Sequence, residues 1–331
     1  MTINVISESK YFPNFFRGMH IAFTNHVNLL RKNNISVKIN SFGGADITHI
    51  HSLGLFALYK LLTSKRTVVS SHTLPATMVG TFKGSQYWGG IFKKYLTFFY
   101  NRADLILPFS SLIEEELKKL GVTKNMAIVA NPVDTHFFKQ DKQLRKKVRK
   151  RFGIKEDEFV ILGAGQLIQR KGIKDFIAVA KELPFYKFVW VGGNSASLIH
   201  AGIEKSFLKK KLPKNLSLLG NFPYEEMPEL FNIADILFFP SYQETQGLVI
   251  IEAAACGLPL ILRDLTEYRY LYNKSYYACQ TNAQFVEIIK KLKSDKKEYN
   301  KAQDLSLSLA KDFSIEEVGS KLLSYYNSLY S

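Results

Sequence analysis

Short runs of β-branched and apolar residues alternate with longer segments of helical spacing, and this alternation occurs twice along the chain. The first series predicts strands at 3–6, 37–39, 47–50, 67–70, 105–107 and 127–129, with a helix at 20–32. Ser110 or Ser111 would begin a further helix, with Glu114 as its capping-box acid. Strands that alternate with helices favour a parallel sheet covered on both faces. We therefore predict the α/β class.

The second series supports a two-domain organisation. It predicts strands at 159–163, 188–191, 216–219, 236–239 and 260–262, and helices at 173–182, 227–232, 248–256 and 314–330. We predict an N-terminal domain at 1–138, a basic linker at 139–153, a C-terminal domain at 154–311, and a terminal helix at 312–331 that packs back on the first domain. Ligands of doubly wound sheets bind beyond the carboxyl ends of the strands, so we predict a cleft between the domains.

Charge is distributed unevenly along the chain, whose net charge is +16. Residues 1–152 hold 23 Lys+Arg and 8 Asp+Glu, a net +15, whereas residues 153–331 hold 22 and 21, a net +1. This asymmetry predicts a polyanionic partner for the N-terminal half, either nucleic acid or an anionic membrane. No recognised nucleic-acid module with base-stacking aromatics is present, so we predict no nucleic-acid partner.

Several classes of protein are excluded by motifs that the sequence lacks. No apolar run reaches the roughly 18 residues of a spanning helix, and the first residues do not resemble a signal peptide. Cys256 and Cys279 predict buried free thiols. The Gly163-Ala-Gly165 segment lacks the third glycine of a dinucleotide site, and no Asp-x-Asp is present to hold a metal-bound nucleotide. His49 and His51 are spaced like a metal pair, yet we predict no metal site.

The strongest local pattern lies between Pro240 and Pro259. A predicted strand ends at Pro240, a loop carries Glu244, and Gly247 lets the backbone approach a ligand. The free N–H groups of the following helix would suit a phosphate. Glu252 lies inside this helix, where it is a ligand for sugar hydroxyls, a paired acid, or an ordinary helix acid.

The same pattern resembles the signature of family 4 of the retaining glycosyltransferases, which have the GT-B fold of two Rossmann-like domains facing a central cleft. Seven residues separate Glu244 from Glu252, Gly247-Leu-Val lies between them, and Ala-x-x-x-Gly-x-Pro follows. Other segments resemble the family in the expected order: 69–73, 131–137, 165–172, 191–193, 219–220 and 234–235.

This resemblance implies a metal-independent, retaining hexosyltransferase that uses a UDP-sugar donor and no cofactor. Glu252 would bind the ribose hydroxyls, and Glu244 would contact hydroxyls of the donor sugar. Lys171 would neutralise the leaving diphosphate, and His72 would lie over the sugar from the other domain. The diphosphate would also meet the backbone at the start of the helix, namely Gly247, Leu248 and Val249.

The predicted phosphate loop departs from the family at one position. The family usually has an arginine after Gly165, where this chain has Gln166. Either Arg170 supplies the missing charge or phosphate binding is weaker than in the family.

The N-terminal half contains a segment, 80–102, that mixes aromatic and basic residues. Six apolar residues share one predicted helical face: Ile91, Phe92, Tyr95, Leu96, Phe98 and Phe99. Such a face is typical of a helix in the membrane interface, although a core helix packed on the sheet explains it too. The residues predicted to contact membrane or acceptor are Phe15, Phe16, Arg17, Tyr87, Trp88, Lys93 and Lys94.

Within the family, this combination resembles the bacterial glycolipid synthases that glycosylate diacylglycerol or glucosyl-diacylglycerol. The resemblance implies transfer of glucose or galactose to such a lipid by a peripheral protein on the cytoplasmic side of the cell membrane. Two alternatives stay open. One is a glycosyltransferase for a wall-polymer, polyisoprenoid-linked or protein acceptor, and the other is a non-catalytic GT-B binding partner.

Overall fold

The computed structural model describes residues 1–12, 17–72, 85–193 and 212–331, without the side chains of residues 17 and 85–89. The chain divides into two compact units. The first unit contains described residues of Met1–Pro132 together with Phe313–Ser331, and the second contains those between Val133 and Asp312.

The first unit is a five-stranded parallel sheet with helices on both faces. Its described elements are β1 (Thr2–Ile6), α1 (Arg17–Lys32), β2 (Ser36–Ile39), β3 (Ile47–Ile50), α2 (Leu55–Thr63), β4 (Thr67–Ser70), α3 (Ser85–Arg102), β5 (Leu105–Leu107), α4 (Ser111–Lys119) and the C-terminal helix (Ile315–Tyr330). The strand order is β2-β1-β3-β4-β5. One core cluster joins α1 and the C-terminal helix to the sheet, and another joins α2, α3 and α4 to it.

Two local predictions in this unit are wrong. Ser110 caps α4 by accepting from the backbone N–H of Ile113, so Glu114 lies one position too late for a capping box and pairs with Lys118 instead. Residues 127–129 run beside β5 but form no regular strand. Their ladder cannot continue regularly because Pro108, which they meet, has no N–H to donate.

The second unit is a six-stranded parallel sheet with helices. Its described elements are α5 (Lys142–Arg151), β6 (Val160–Ala164), α6 (Ile173–Glu182), β7 (Lys187–Val191), β8 (Leu216–Gly220), α7 (Met227–Ile233), β9 (Ile236–Phe239), α8 (Leu248–Ala255), β10 (Leu260–Arg263), α9 (Thr266–Tyr272), β11 (Tyr277–Cys279), α10 (Asn282–Ser294) and α11 (Lys296–Asp312). The strand order is β11-β10-β9-β6-β7-β8. The order reverses between β6 and β9, which makes their carboxyl ends the expected ligand site.

Helix α5, which we assigned to a linker, packs within the second unit. Arg145 donates to the carbonyl oxygen of Ala234 at 2.6 Å and pairs with Asp235 at 2.8 Å. Because this basic helix belongs to the second unit, the net charges of the two units differ from those of the two halves of the sequence. Counted over the sequence, the first unit holds 16 Lys+Arg and 8 Asp+Glu, and the second holds 29 and 21, so each has a net charge of +8. The positive charge of residues 1–152 is therefore shared between the two folded units.

The loop between β6 and α6 is pressed against the end of β9. Gly172 has a φ of +72°, and a Cβ built on it would overlap the carbonyl oxygen of Pro240. Only glycine satisfies both the left-handed backbone and this close approach.

We expect Gly172→Ala to lower the free energy of unfolding by at least about 3 kcal/mol, because the overlap adds to the cost of a left-handed alanine. Gly153→Ala is the matched control: its φ is +63° and no atom lies within 4 Å of its added Cβ. The control should cost only about 1 kcal/mol. Urea unfolding measures both, and equal losses would contradict the close approach at Pro240.

Candidate active site

The loops that follow β6 and β9 meet at a buried ion pair. The Nζ atom of Lys171 bonds directly to Oε1 of Glu244. The Ser241 hydroxyl donates to the same oxygen at 2.8 Å. Arg170 Nη1 lies 4.0 Å from it while donating to the carbonyl oxygen of Gln243 at 2.6 Å. The structure therefore brings together Arg170, Lys171 and Glu244, all three of which we predicted as donor-site residues.

Electrostatics keep Glu244 ionised. Its side chain is 8% exposed, and that of Lys171 is 15% exposed. Burial raises the pKa of the Glu244 carboxyl, but the positive charges of Lys171 and Arg170 outweigh it and leave the pKa below its ordinary value. Burial lowers the pKa of Lys171, and the negative charge of Glu244 opposes that shift.

Two glycines border this ion pair. Gly165 has a φ of +137°, and a Cβ there would lie 3.4 Å from the Lys171 side chain. Gly247 has a φ of +74°, precedes the first turn of α8, and would place a Cβ 3.8 Å from Cγ of Glu244. Leu248 and Val249 are half-buried, whereas the rest of α8 is buried. The unpaired N–H groups of this helix start thus lie next to the Lys171–Glu244 pair, which makes the place suitable for an anion.

Glu252 is on α8 and is 4% exposed. Its Oε1 accepts a hydrogen bond from the Tyr224 hydroxyl at 3.0 Å. The Tyr224 ring packs against Phe138 with 5.5 Å between ring centroids. Sequence reasoning missed Tyr224, since a tyrosine in a short turn carries no pattern that predicts this partner.

A second group that sequence reasoning missed comes from α9. The Tyr268 hydroxyl and the Arg170 Nε are buried and have no hydrogen-bond partner among the described residues. Burial and then the negative charge of Glu244 raise the pKa of Tyr268 well above its ordinary value. The Tyr272 hydroxyl donates to the carbonyl oxygen of Gln246. Helix α9 therefore supplies the neutral, apolar wall behind Glu244.

In the first unit, His72 lies just beyond β4 and its Nε2 is 2.8 Å from Nδ1 of His51. His51 follows β3 and its Nε2 is buried without a partner among the described residues. Burying an unprotonated imidazole nitrogen without a hydrogen-bond partner costs less free energy than burying an unpaired N–H donor. This favours the tautomer in which His51 Nδ1–H donates to His72, so that Nδ1 of His72 carries its proton.

Three histidines near His72 pack against one another and are called the histidine stack: the rings of His49 and His51 are stacked, and the His26 ring is edge-on to both. Ligand atoms of His26, His49 and His51 lie within 4.8 Å of one another, as a metal site would require. However, the Tyr326 hydroxyl bonds to His49 Nδ1 and lies 3.0 Å from His26 Nε2. His49 and His51 also stack with 27° between their rings, which does not aim their nitrogens at a common point. A metal ion would have to displace the bonds to Tyr326, so we treat the stack as a hydrogen-bond network.

The predicted membrane helix is divided by its packing. Leu96 and Phe99 are buried in the core, whereas Ile91 is 77% and Phe98 52% exposed. The six-residue stripe is therefore not one interfacial face, because its middle packs on the sheet. Among the predicted contact residues, Lys93 and Lys94 are exposed. Phe15 and Phe16, and the side chains of Arg17, Tyr87 and Trp88, lie outside the described part of the chain.

Within the described ranges, no helix combines the length and apolar character needed to cross a bilayer.

Comparison with known proteins decides the family. Residues 4–137 match the model described as Glycosyltransferase Family 4, and residues 145–306 match Glycosyl transferases group 1. The alpha-galactosylglucosyldiacylglycerol synthase of Streptococcus pneumoniae is 30% identical over 98% of this chain and 89% of its own length. The chain is a family 4 glycosyltransferase. This glycosyltransferase is also 28% identical, over 85% of its length and 84% of the relative, to the processive diacylglycerol alpha-glucosyltransferase of Acholeplasma laidlawii.

Solved structures confirm the predicted fold class. The glycosyltransferase superposes on sucrose-phosphate synthase from Thermosynechococcus elongatus with a TM-score of 0.80 at 15% identity, covering 100% of this chain and 99% of the other. It superposes on Anabaena HepE, whose structure holds UDP and glucose, with a TM-score of 0.75 at 16% identity, covering 99% and 100%. Both likenesses concern the GT-B fold.

The Lys171–Glu244 pair should be energetically coupled. We expect Lys171→Met and Glu244→Gln each to lower the free energy of unfolding by about 3 kcal/mol, because each leaves the other member of the pair as a buried charge without its partner. The double variant should lose about 1–3 kcal/mol less than the sum. Urea unfolding at neutral pH measures this cycle. The exposed pair Lys118 and Glu114 is the control, with coupling below about 0.5 kcal/mol. Strict additivity at Lys171 and Glu244 would contradict the ion pair.

The histidine stack should make the protein sensitive to acid. Burial, and then repulsion from His72 when that ring is protonated, lower the pKa of His26 to about 3, whereas an unfolded histidine titrates near 6.5. The unfolded chain therefore binds more protons between these values, so stability is present above about pH 6.5 and is lost as the pH falls toward 3. We expect His26 to account for about 2 kcal/mol of this loss between pH 7 and pH 5.

His26→Gln tests that expectation because glutamine can still bond to Tyr326 without titrating. Urea unfolding across this pH range should show a slope smaller by about one proton than in the unchanged protein. The exposed His136→Gln variant is the control for the loss of one histidine. An unchanged slope in His26→Gln would show that this ring is protonated in the folded state.

Proposed function

We propose that the glycosyltransferase moves glucose or galactose, with retention of anomeric configuration, from a UDP-sugar to a diacylglycerol-type membrane lipid. The observation that carries this proposal is the alignment, over nearly the whole chain, with a relative named as a synthase of such a lipid. The second named relative also acts on diacylglycerol by its name, and its alignment includes both domains.

The donor would bind where the loops after β6 and β9 meet. We assign its diphosphate to the helix start at Gly247, Leu248 and Val249, with Gly165 and Gln166 on the opposite side. The helix N–H groups and the Lys171 ammonium together supply positive charge without a metal ion. The family usually has an arginine where this chain has Gln166. The Arg170 guanidinium, 4.0 Å from Glu244, would supply positive charge to the diphosphate in its place.

Two carboxylates would orient the donor. The described contacts of Glu244 all involve Oε1, and we assign Oε2 to the sugar hydroxyls. Glu252, held by Tyr224, would accept from the ribose hydroxyls. His72, for which the proton on Nδ1 is favoured, would donate to the sugar; this role rests on the family resemblance.

The chemistry would depend on stabilising the leaving diphosphate. As the glycosidic bond breaks, negative charge grows on the phosphate oxygen, where Lys171 and the helix dipole would lower the barrier. The acceptor hydroxyl would attack from the same face, and the leaving phosphate would take its proton. Retention follows from attack on the face that the diphosphate leaves.

A direct assay tests this proposal. The protein is incubated with UDP-glucose or UDP-galactose and with diacylglycerol, glucosyl-diacylglycerol, a polyisoprenyl phosphate or a lipid-free polyol, with and without EDTA. We expect transfer to a diacylglycerol-type lipid, unaffected by EDTA, and an α-linked product by proton NMR. Transfer only to the polyisoprenyl phosphate or the polyol would favour the alternative acceptors, and no transfer of any kind would favour a binding subunit.

Within that assay, we expect Glu252→Gln to lower kcat/KM by about tenfold or more, because a charge-assisted bond to the ribose is lost. Tyr224 can still donate to the glutamine oxygen, so the fold should persist. Glu229→Gln is the control, since Glu229 pairs with Arg151 on the surface. Equal rates for the two variants would remove Glu252 from the donor site.

A further inference from the structure

Two neighbouring helices of the first unit expose large apolar side chains on their outer sides. On α2, Leu55 is 87%, Tyr59 47% and Leu62 46% exposed, at the i, i+4, i+7 spacing of one helical face. On α3, the exposed Ile91 and Phe98 flank Lys94 at the same kind of spacing. Single exposed apolar side chains are ordinary, whereas several on one surface mark an interaction site.

The exposed residues belong to one layer, because the helices pack together. The Tyr95 hydroxyl of α3 donates to the carbonyl oxygen of Leu53 at 2.6 Å, just before α2 begins. The inner sides of both helices share one core, to which Leu61 and Leu96 contribute. Phe42 extends this layer: it is 76% exposed and lies 4.9 Å from Phe56 between ring centroids. We call the residues Phe42, Leu55, Tyr59, Leu62, Ile91 and Phe98, with Lys93 and Lys94, the α2–α3 face.

Negative charge is absent from the sequence of both helices. Between Asp46 and Asp104 the chain has no Asp or Glu, whereas it has seven Lys or Arg. Exposed apolar groups among cations, with no anions, match the interface of an anionic bilayer, where apolar groups insert and lysines meet headgroups. A surface for a protein partner typically adds hydrogen-bonding polar groups and charges of both signs at its rim.

The face reaches the edge of the sheet where His72 lies. Glu8, just beyond β1, holds the start of α2 by accepting from the Ala57 N–H at 2.8 Å and from the Ser52 hydroxyl. The start of α2, where Leu55 lies, is therefore held at the carboxyl end of β1, and the sheet edge formed by the carboxyl ends of the parallel strands also carries His51 after β3 and His72 after β4. A headgroup at a bilayer in contact with Leu55 would be close to this edge.

We propose that the α2–α3 face is the surface by which the protein docks on an anionic membrane, with α2 inserting its apolar side chains and α3 contributing most of the charge. This inference rests on the proposed function, since it assigns a lipid surface to the first unit. It differs from the sequence prediction, which placed membrane contact on the 80–102 segment and on Phe15, Phe16 and Arg17, and which omitted α2.

Vesicle binding by matched variants tests the proposal. Phe42→Ser/Leu55→Ser removes apolar groups, Lys93→Glu/Lys94→Glu reverses charge, and Phe185→Ser removes a 97% exposed side chain from the second unit as the control. Vesicles contain phosphatidylcholine with or without about one-third phosphatidylglycerol, at low and high salt. The altered residues are exposed, so an unchanged melting temperature verifies folding.

We expect the unchanged protein and the Phe185→Ser control to bind anionic vesicles and to bind neutral vesicles poorly. The charge variant should lose most binding at low salt, where headgroup attraction dominates. The apolar variant should lose about fivefold or more of the binding that remains at high salt, because insertion does not depend on screening. Its transfer to a short-chain acceptor dispersed in detergent should be unchanged.

Two results would overturn the proposal. One is vesicle binding by the apolar variant equal to that of the control. The other is a variant that loses self-association in light scattering while keeping vesicle binding, which would make the face a contact between copies of the chain. Transfer only to a lipid-free acceptor would instead overturn the proposed function, whereas the vesicle results concern the face alone.

Discussion

The ion pair between Lys171 and Glu244 joins two loops that are 73 residues apart in sequence. It can form because the strand order reverses between β6 and β9, so the loops after these adjacent strands lead to helices on opposite sides and open between them. Gly172 lets one loop press against the end of β9, and Gly247 turns the other loop into α8. The glycines, the helix start and the flanking Arg170 therefore meet around one buried electrostatic contact.

In the first unit, the buried polar groups near the point where the strand order reverses are neutral. Its sheet order reverses between β1 and β3, and polar groups near this place come from β3, α1 and the C-terminal helix. Here the polar groups are neutral imidazoles and the Tyr326 hydroxyl, and burial holds the pKa of His26 at about 3. A neutral stack avoids the desolvation cost of buried ions, but it makes the fold depend on histidines that acid would protonate.

Helix α3 shows how one periodic pattern can serve two purposes. Leu96 and Phe99 bury the side that faces the sheet, and Ile91 and Phe98 remain outside. Both sets are apolar and closely spaced, so helical periodicity alone could not separate the core side from the exposed side. The same holds for α2, whose residues are apolar nearly all round and whose only charged residue, Lys60, is buried.

Most strands and helices of the two sheets can be predicted from the amino-acid sequence, because alternating apolar runs and turn residues are local signals. The sequence also contains the pattern from Glu244 to Glu252, whose spacing identifies the family. It left α2, α9, β11, α10 and α11 unpredicted, although the capping box of Thr281 and Gln284 marks the start of α10. Three features become visible in the folded chain alone: α5 belongs to the second unit, Tyr224 bonds to Glu252, and Tyr326 bonds to His26 across 300 residues of chain. Such contacts arise from how elements pack, and packing partners distant in sequence leave no spacing that a single sequence can reveal.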